Sequence, residues 1–562
     1  MIPQASERRR RLIRRGLPAL CAVAAIALVV GLLAGSGVPS GTEQTAIDYV
    51  EAWERGDWAA MHGLLTPEAR RRVTAGEFAE AHRRAAGEAT ATAVTAEDPE
   101  GERGGRQVVP MTASTRIFGT IRGELALPVR AEGVAWGPHL VFPGLDEGVS
   151  LSRRSEPPER AAILSRDGKV LAEGPAEARS SPLGPLSSSI AGRLEPEETA
   201  LERNTLYARG FPHDWHVGQS GLELVFERQL QGRPGGELLA GPRVLASARP
   251  RRARPVRTTI DTGVQEAADI ALAGRFGGIA ALDARNGEVR ALAGVAYSAP
   301  QPPGSTFKIV TTTAALESRL VRPQDEFPVE QAAIIDGVEL ENANGEFCGG
   351  TFQNSFAHSC NSVFAPLGVK VGAERLVAAA ERYGFNARRM LPDELPSTIP
   401  PAADITSPLE VGATAIGQGR VLATPLLLAS IAQTVAAGGV RSEPTLAADH
   451  PRTRRVRVTT RRVARTLERL MVDVVAYGTG TASALPGVKV AGKTGTAELE
   501  DTRGPSAEQT ASDPSNTDAW FTAYAPAGRP RIAVAAMFVR AGAGGAVAAP
   551  AARLVLEAGL AR

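Results

Sequence analysis

The sequence predicts a multidomain α+β protein tethered by an N-terminal membrane anchor. Three observations predict it. At roughly 100–200 residues per domain, 562 residues exceed what one hydrophobic core fills. The apolar (43%) and charged (22%) fractions are those of a globular chain. Helical and period-two apolar patterns follow one another more than once, behind a single uncharged apolar run. Lys+Arg at 63 against Asp+Glu at 61 leaves a net charge of +2, which excludes a nucleic-acid binder driven by bulk charge. The cysteines Cys21, Cys348 and Cys360 are too few for a disulfide scaffold or a four-thiolate zinc site.

The first fifteen residues carry Arg8, Arg9, Arg10, Arg11, Arg14 and Arg15 against Glu7 alone. No charge occurs from Gly16 to Thr42, and 19–34 is apolar throughout. About 20 apolar residues span a bilayer as a helix, and a basic tail before them stays cytoplasmic. A single-pass anchor with the bulk outside the cell is therefore expected. A signal peptide cleaved near Ala34-Gly35-Ser36 is the alternative, and it exports the same residues.

Residues 43–85 read as helices: Ile47, Val50 and Trp53 share a face, Gly56-Asp57 breaks the run, and Trp58, Met61 and Leu65 resume it. Period-two stretches at 107–117, 122–130 and 133–142 predict strands, so a small α+β domain closes near Pro143-Gly144. Residues 174–203, rich in Pro, Ser, Gly and Glu, predict a linker or surface loop. Short strands and one helix over 221–230 follow, and 249–254 reads as a hinge.

In the C-terminal part, Thr258-Thr259-Ile260-Asp261 precedes a helix over 263–273. Strands at 277–283 and 288–294 are joined by a turn at Arg285-Asn286-Gly287. Pro302-Pro303-Gly304-Ser305-Thr306-Phe307-Lys308 then opens an apolar helical run to Leu316, with prolines where a helix start tolerates them. Ser305 thus sits at a helix N-terminus with Lys308 one turn on and on the same face. A serine hydroxyl is a weak nucleophile until a neighbour takes its proton. A neutral lysine can do so, and the helix's positive end with partial burial lowers the Lys308 pKa. Arginine cannot deprotonate, so a lysine is notable in a chain with only five among 63 Lys and Arg. A lone Ser-x-x-Lys is otherwise an ordinary surface spacing. Ser359-Cys360-Asn361, an ordinary turn if taken alone, offers a hydroxyl and a carboxamide. Residues 488–497 read as a strand in which Lys493 and Gly495 share one face and Thr494 and Thr496 the other. Gly495 admits a ligand close to the backbone.

Ser305-Thr306-Phe307-Lys308, Ser359-Cys360-Asn361 and Lys493-Thr494-Gly495, in this order and at these separations, resemble the penicillin-recognising serine transferases. The most similar members are class B penicillin-binding proteins, monofunctional peptidoglycan transpeptidases. The resemblance extends to Gly417-Gln418-Gly419 with Thr424-Pro425, to 258–267, and to Trp520-Phe521. Upstream, 163–172 and 218–235 resemble that family's dimerisation or pedestal domain. Trp53-Glu54-Arg55-Gly56-Asp57 and 136–145 resemble the nuclear-transport-factor-like domain that fronts some members. The implied layout is a cytoplasmic tail (1–15), an anchor (16–36), a nuclear-transport-factor-like domain (43–148), a pedestal (149–255) and a transpeptidase domain (256–562) with an antiparallel sheet flanked by helices. Ala161 after Arg160, where the family usually has glycine, and Ser165, where Asp is common, depart from the pattern.

The resemblance implies that Ser305 attacks the carbonyl between the two terminal D-alanines of a stem peptide and that Lys308 accepts its proton. Ser359, linked to Lys493, would relay a proton to the departing D-alanine, and Asn361 would orient the peptide. The backbone N–H groups of Ser305 and Thr496 would form the oxyanion hole. Thr494, Gly495 and Thr496, with the Lys493 charge, would hold the terminal carboxylate. The amine of a second stem peptide would close the cross-link, and a β-lactam would acylate the same serine. No cofactor, metal or nucleic acid is implied. The implied partners are peptidoglycan stem peptides, β-lactams, the membrane through the N-terminal helix, and other wall-synthesis proteins. Cys348 and Cys360, 12 residues apart beside Ser359, are expected as a bracing disulfide or as two small buried thiols.

Rival readings are weaker. Gly487-Val488-Lys489-Val490-Ala491-Gly492-Lys493-Thr494 fits a phosphate loop, but a helix should follow and Gly495 opens one poorly. No Gly-x-Ser-x-Gly elbow supports a Ser-His-Asp hydrolase, and His358 neighbours Ser359 along the chain without facing it. His213 and His216 lack a zinc ligand set, and the arginine-rich stretch 452–469 reads as a solvated face, with a patch for an anionic wall polymer or lipid headgroup as the alternative. Within the fold, the alternatives are a D,D-carboxypeptidase, a serine β-lactamase, or a non-catalytic β-lactam sensor or division scaffold. The last would need no intact relay of Ser305, Lys308, Ser359, Asn361 and Lys493.

Overall fold

The computed structural model describes residues 39–389, 391–449, 453–499 and 514–561. The expected tail and anchor lie outside them. Among the described residues, no helix is long and apolar enough to cross a membrane. The chain divides into two compact units. The first comprises the described chain to residue 157 with 199–213 and 234–250, and the second 158–198, 214–233 and everything from 251 on. Segments from within 149–255 thus belong to both.

In the first unit, helices Gly41–Glu54, Trp58–Gly63, Pro67–Arg72 and Ala75–Ala89 precede an antiparallel sheet built around Arg106–Thr115. Each helix begins at a side-chain cap (Ser40, Asp57, Thr66, Thr74), so free N–H groups are satisfied locally. Their apolar faces meet the sheet in a core of Tyr49, Trp53, Phe78, Met111 and Leu127. The strand expected over 133–142 is instead a two-residue strand, Gly133–Val134, and a 3-10 turn, Pro138–Val141. Pro138 lacks the N–H that a ladder needs and suits a helical first turn.

The expected linker 174–203 is also overturned. It holds a helix Pro185–Ala191, a strand Leu194–Pro196 and the start of a helix Ala200–Ala208. Its composition consists of start and stop signals rather than linker. Pro185 occupies the first helical turn between Gly184 (φ 64°) and Gly192 (φ 91°), and Thr199 forms a capping box with Glu202. The single helix expected over 221–230 breaks at Phe226 into Gly221–Val225 and Glu227–Leu230. Around the Ala161 departure the packing is closed: Ala161 is buried, and Arg160 reaches Glu223 at 2.7 Å and Glu227 at 2.6 Å. Ser165 closes a tight turn by accepting from the Lys169 N–H at 3.0 Å.

The second unit is organised by five antiparallel strands, β1 (Gly277–Asp283), β2 (Val289–Gly294), β3 (Ala491–Glu498), β4 (Thr517–Ala525) and β5 (Ile532–Phe538), in the order β2-β1-β5-β4-β3. Both faces are covered, so the strands read as continuous apolar runs; every residue of β1 and β5 is buried. Helices α1 (Thr262–Leu272) and α7 (Ala548–Leu560) pack one face with Ile279, Phe521 and Val534. The other face meets a larger core that includes α2 (Lys308–Glu317), α3 (Phe352–Ala357), α4 (Asn361–Val371), α5 (Pro425–Ala436) and α6 (Arg461–Ala476). Helix α5 is buried all round and largely apolar, and of its buried polar side chains Thr434 bonds back to the Ser430 carbonyl at 2.7 Å. The strand expected from 488 begins at Ala491. β3 is the edge strand, so one side of its backbone is left free of the ladder.

Candidate active site

Three segments meet beside edge strand β3. A 3-10 turn, Gly304–Phe307, leads into α2 and packs against β3. Close approach requires glycine on both sides. A Cβ on Gly304 (φ +50°) would lie 2.7 Å from the Thr496 carbonyl oxygen, and one on Gly495 would lie 2.7 Å from the Pro303 oxygen. Ser305 and Lys308 span this turn, where i and i+3 side chains eclipse. The third segment is the α3–α4 corner, where Ser359 takes a left-handed φ of 64°. That conformation costs roughly 1–2 kcal/mol for a residue with a Cβ. A disulfide joins Cys360, the next residue, to Cys348.

The corner aims Ser359 at both lysines. Lys493 Nζ donates to Ser359 Oγ at 2.9 Å and to the Thr494 carbonyl at 3.1 Å. Lys308 Nζ lies 2.7 Å from the Ser359 carbonyl, 2.7 Å from Asn361 Oδ1 and 3.2 Å from Ser359 Oγ. Asn361 is fixed from behind, its amide donating to the Glu341 carbonyl at 2.6 Å. The Ser305 hydroxyl makes no hydrogen bond among the described residues, so the sequence-expected pairing of Ser305 with Lys308 appears as proximity along the turn and not as a formed bond. The Lys308 amine is drawn instead to two strong acceptors across the cleft.

Both amines are fully buried, while Ser305, Ser359, Asn361 and Thr496 reach solvent. Burial pushes Lys308 well below the usual lysine range, and the nearby Lys493 pushes it further. Burial lowers Lys493 to about 7. The expected cause for Lys308, partial burial at a helix end, is thus corrected to complete burial beside a second amine. Phe364 and Phe356 lie 5.1 and 5.8 Å from the two nitrogens and help exclude water.

Thr494 and Thr496 occupy the other face of β3. Thr496 Oγ1 accepts from the Gly544 N–H at 3.2 Å. Thr494 Oγ1 lies 2.6 Å from Thr479 Oγ1, and the Thr479 N–H donates to the Ala357 carbonyl at 3.1 Å. Thr479 was missed in the sequence. Its only signal is the flanking Gly478 and Gly480, where a Cβ would collide with Ala357 and crowd Val474 and Phe521. The rivals lose their footing here. β3 runs on to Glu498, so no helix follows Lys493-Thr494; His358 packs against Tyr477, and His213 stacks on Tyr207 at 4.0 Å.

Residues 277–557 match the family model of the penicillin-binding protein transpeptidase domain, half of the chain. The chain belongs to the penicillin-binding protein transpeptidase family. Peptidoglycan D,D-transpeptidase PbpA of Mycolicibacterium smegmatis is 35% identical over 295 residues, which is 47% of this chain and 56% of that protein. The chain therefore spans about half the length of the curated relatives it matches, and these relatives place it among the class B penicillin-binding proteins. The fold also matches a D,D-transpeptidase domain from Eggerthella lenta (TM-score 0.59, 28% identity, 72% of this chain and 98% of that one). It matches the penicillin G acyl-enzyme of penicillin-binding protein A from Mycobacterium tuberculosis as well (TM-score 0.55, 28% identity, 72% and 99%).

Proposed function

We propose that this penicillin-binding protein is a peptidoglycan D,D-transpeptidase that works through an acyl ester on Ser305. The observation that carries the reading is the chain Lys308–Ser359–Lys493, in which one hydroxyl lies within 3.2 Å of two buried amines. A neutral Lys308 has two N–H groups, and the Ser359 carbonyl and Asn361 Oδ1 use both. Its lone pair is left for a proton, and the hydroxyl one turn back is the group that must lose one. Lys493, with its proton, passes it through Ser359 Oγ to the departing amine of D-alanine. Extended backbone sends N–H and C=O to the same side. The Thr496 carbonyl faces Gly304, so its N–H faces the same turn and, with the Ser305 N–H, supplies two donors for the tetrahedral oxyanion. Thr494 and Thr496 with the Lys493 charge receive the terminal carboxylate, and the amine of a second stem peptide resolves the ester. A β-lactam enters by the first step and stays, since its leaving group remains tethered.

The basic, then uncharged apolar sequence supports residues 1–15 as a cytoplasmic tail and 16–36 as the membrane anchor, with the rest of the chain on the outer side. Residues 43–148 are proposed as the nuclear-transport-factor-like domain and 149–255 as the pedestal. The test is intact-mass spectrometry after benzylpenicillin, with the adduct located by digestion. One equivalent on Ser305 is expected, and none in Ser305→Ala. An adduct elsewhere sinks the proposal.

A further inference from the structure

The arginine-rich stretch, expected as a solvated face, forms one wall of a groove. Strand Arg455–Arg457 pairs antiparallel with Val440–Ser442, which puts Arg455 and Arg457 on one face beside Val440. With Ala437 and Arg461 they line an open groove of about 430 Å³. None of the three guanidinium groups pairs with a carboxylate among the described residues. Among the described residues, their side-chain hydrogen bonds run only from Arg457, to the Gly438 and Thr459 carbonyls. Nearby acids are engaged elsewhere: Glu443 with Arg454 at 3.6 Å, and Glu317 with Arg382 and the Thr459 hydroxyl at 2.6 Å each.

Two features mark the arrangement as uncompensated. Arg461 opens the 16-residue helix α6, whose first turn holds no acid, so cations sit at the helix's positive end. A second cleft of the same unit, lined by Arg166, Arg285, Arg290 and Arg531, holds its own carboxylates: Asp283 takes Arg285 at 3.0 Å and Arg290 at 2.8 Å, and Asp261 lies 3.7 Å from Arg166. Among the described residues, three of the four arginines in that cleft meet a carboxylate, and none of the three in the groove does. Like charges lining one exposed groove gain from an anion set between them, and planar guanidinium forks match phosphate oxygens two at a time.

We propose that this groove is a binding site for a phosphate-bearing anion. Helix α6 rises about 1.5 Å per residue, so the groove lies roughly 24 Å along it from the Thr479 end. A phosphate held there contacts none of the reacting atoms. It would hold a lipid headgroup, or a free phosphate or phosphodiester, while the transpeptidase site stays open.

The experiment is calorimetric titration of the full-length protein in neutral detergent with inorganic pyrophosphate at constant ionic strength. Saturable binding is expected. Arg455→Gln/Arg457→Gln/Arg461→Gln should weaken it by about tenfold or more. Arg319→Gln/Arg388→Gln/Arg389→Gln, which removes the same charge from exposed sites elsewhere, should leave it unchanged. Micelles doped with phosphatidylglycerol separate the sources. A groove-dependent gain over pyrophosphate assigns the headgroup, and its absence assigns the free anion. Equal weakening by both triple variants, or no saturable binding by the parent, overturns the proposal. Acylation by penicillin at the parental rate shows that the groove variant is folded. Should it fail that check, the single variants Arg455→Gln and Arg457→Gln are read the same way.

Discussion

Lys308 is enclosed by Phe364, the Ser359 carbonyl and Asn361, and an ammonium there is opposed first by burial and then by Lys493. Both lysines have folded pKa values below 10.5, so at neutral pH the unfolded chain binds more protons and each lysine lowers stability. Lys308→Met should therefore raise the unfolding free energy by about 1–2 kcal/mol while abolishing acylation; calorimetry with penicillin labelling reads both. Acylation by a carboxylate-bearing β-lactam should rise with pH as Lys308 loses its proton and fall as Lys493 loses its charge through about 7. The amines titrate as a pair, so the limbs belong to both. Stopped-flow rates with no alkaline fall would refute the role given to Lys493. Ser359, at φ 64°, separates strain from chemistry. Ser359→Gly should be more stable than Ser359→Ala by ~1 kcal/mol in denaturant melts, and both should lose the relay. The motif spacing made these side chains legible in the sequence, because each lies beside a turn signal that fixes its backbone. The partners of the Lys308 amine were not legible, since they depend on a left-handed Ser359 that nothing in Ser-Cys-Asn announces. Thr479 was hidden because its bond to Thr494 crosses 15 residues.

The elements were legible where period and caps agreed. The β1–β2 hairpin and α1 fall within a residue or so of expectation, since Asn286-Gly287 and Asp261 mark their ends. They were missed at 174–203, where Pro, Gly, Ser and Glu are caps rather than linker, and at Phe226, where tertiary packing splits a helix. The disulfide belongs to this scale. It ties strand Cys348–Thr351 to the start of α4 across 12 residues, and the Ser362 hydroxyl adds a bond to the Cys348 carbonyl at 3.0 Å. Loop-closure entropy puts its stabilisation at roughly 3 kcal/mol. Because Ser359 and Asn361 flank the bonded Cys360, Cys348→Ala/Cys360→Ala should slow acylation together with that loss. A variant destabilised by this amount that acylates at the parental rate would confine the bridge to a structural role.

Over the whole chain, each unit carries its own apolar core, and the front one holds an acid-sensitive group that the site does not share. His82 is enclosed by Trp53, Trp58 and Phe78, with ring centroids at 4.7, 5.1 and 4.6 Å, and neither ring nitrogen finds a partner among the described residues. Burial lowers its pKa from 6.5 to about 3. The folded unit keeps the ring neutral while the unfolded chain takes up a proton below about pH 6.5, so stability is lost as pH falls from there towards 3. The loss is about 2 kcal/mol at pH 5, at 1.36 kcal/mol per pH unit. Calorimetry should then show the front unit's transition falling steeply between about pH 6.5 and 5. His82→Phe should remove the steep dependence, because it deletes two unpaired nitrogens and keeps an aromatic ring in the cage. Benzylpenicillin should leave the front unit's transition in place and shift the other, since the ester forms in the unit built on the five-stranded sheet. If His82→Phe leaves the acid dependence intact, another group in the front unit must carry the proton.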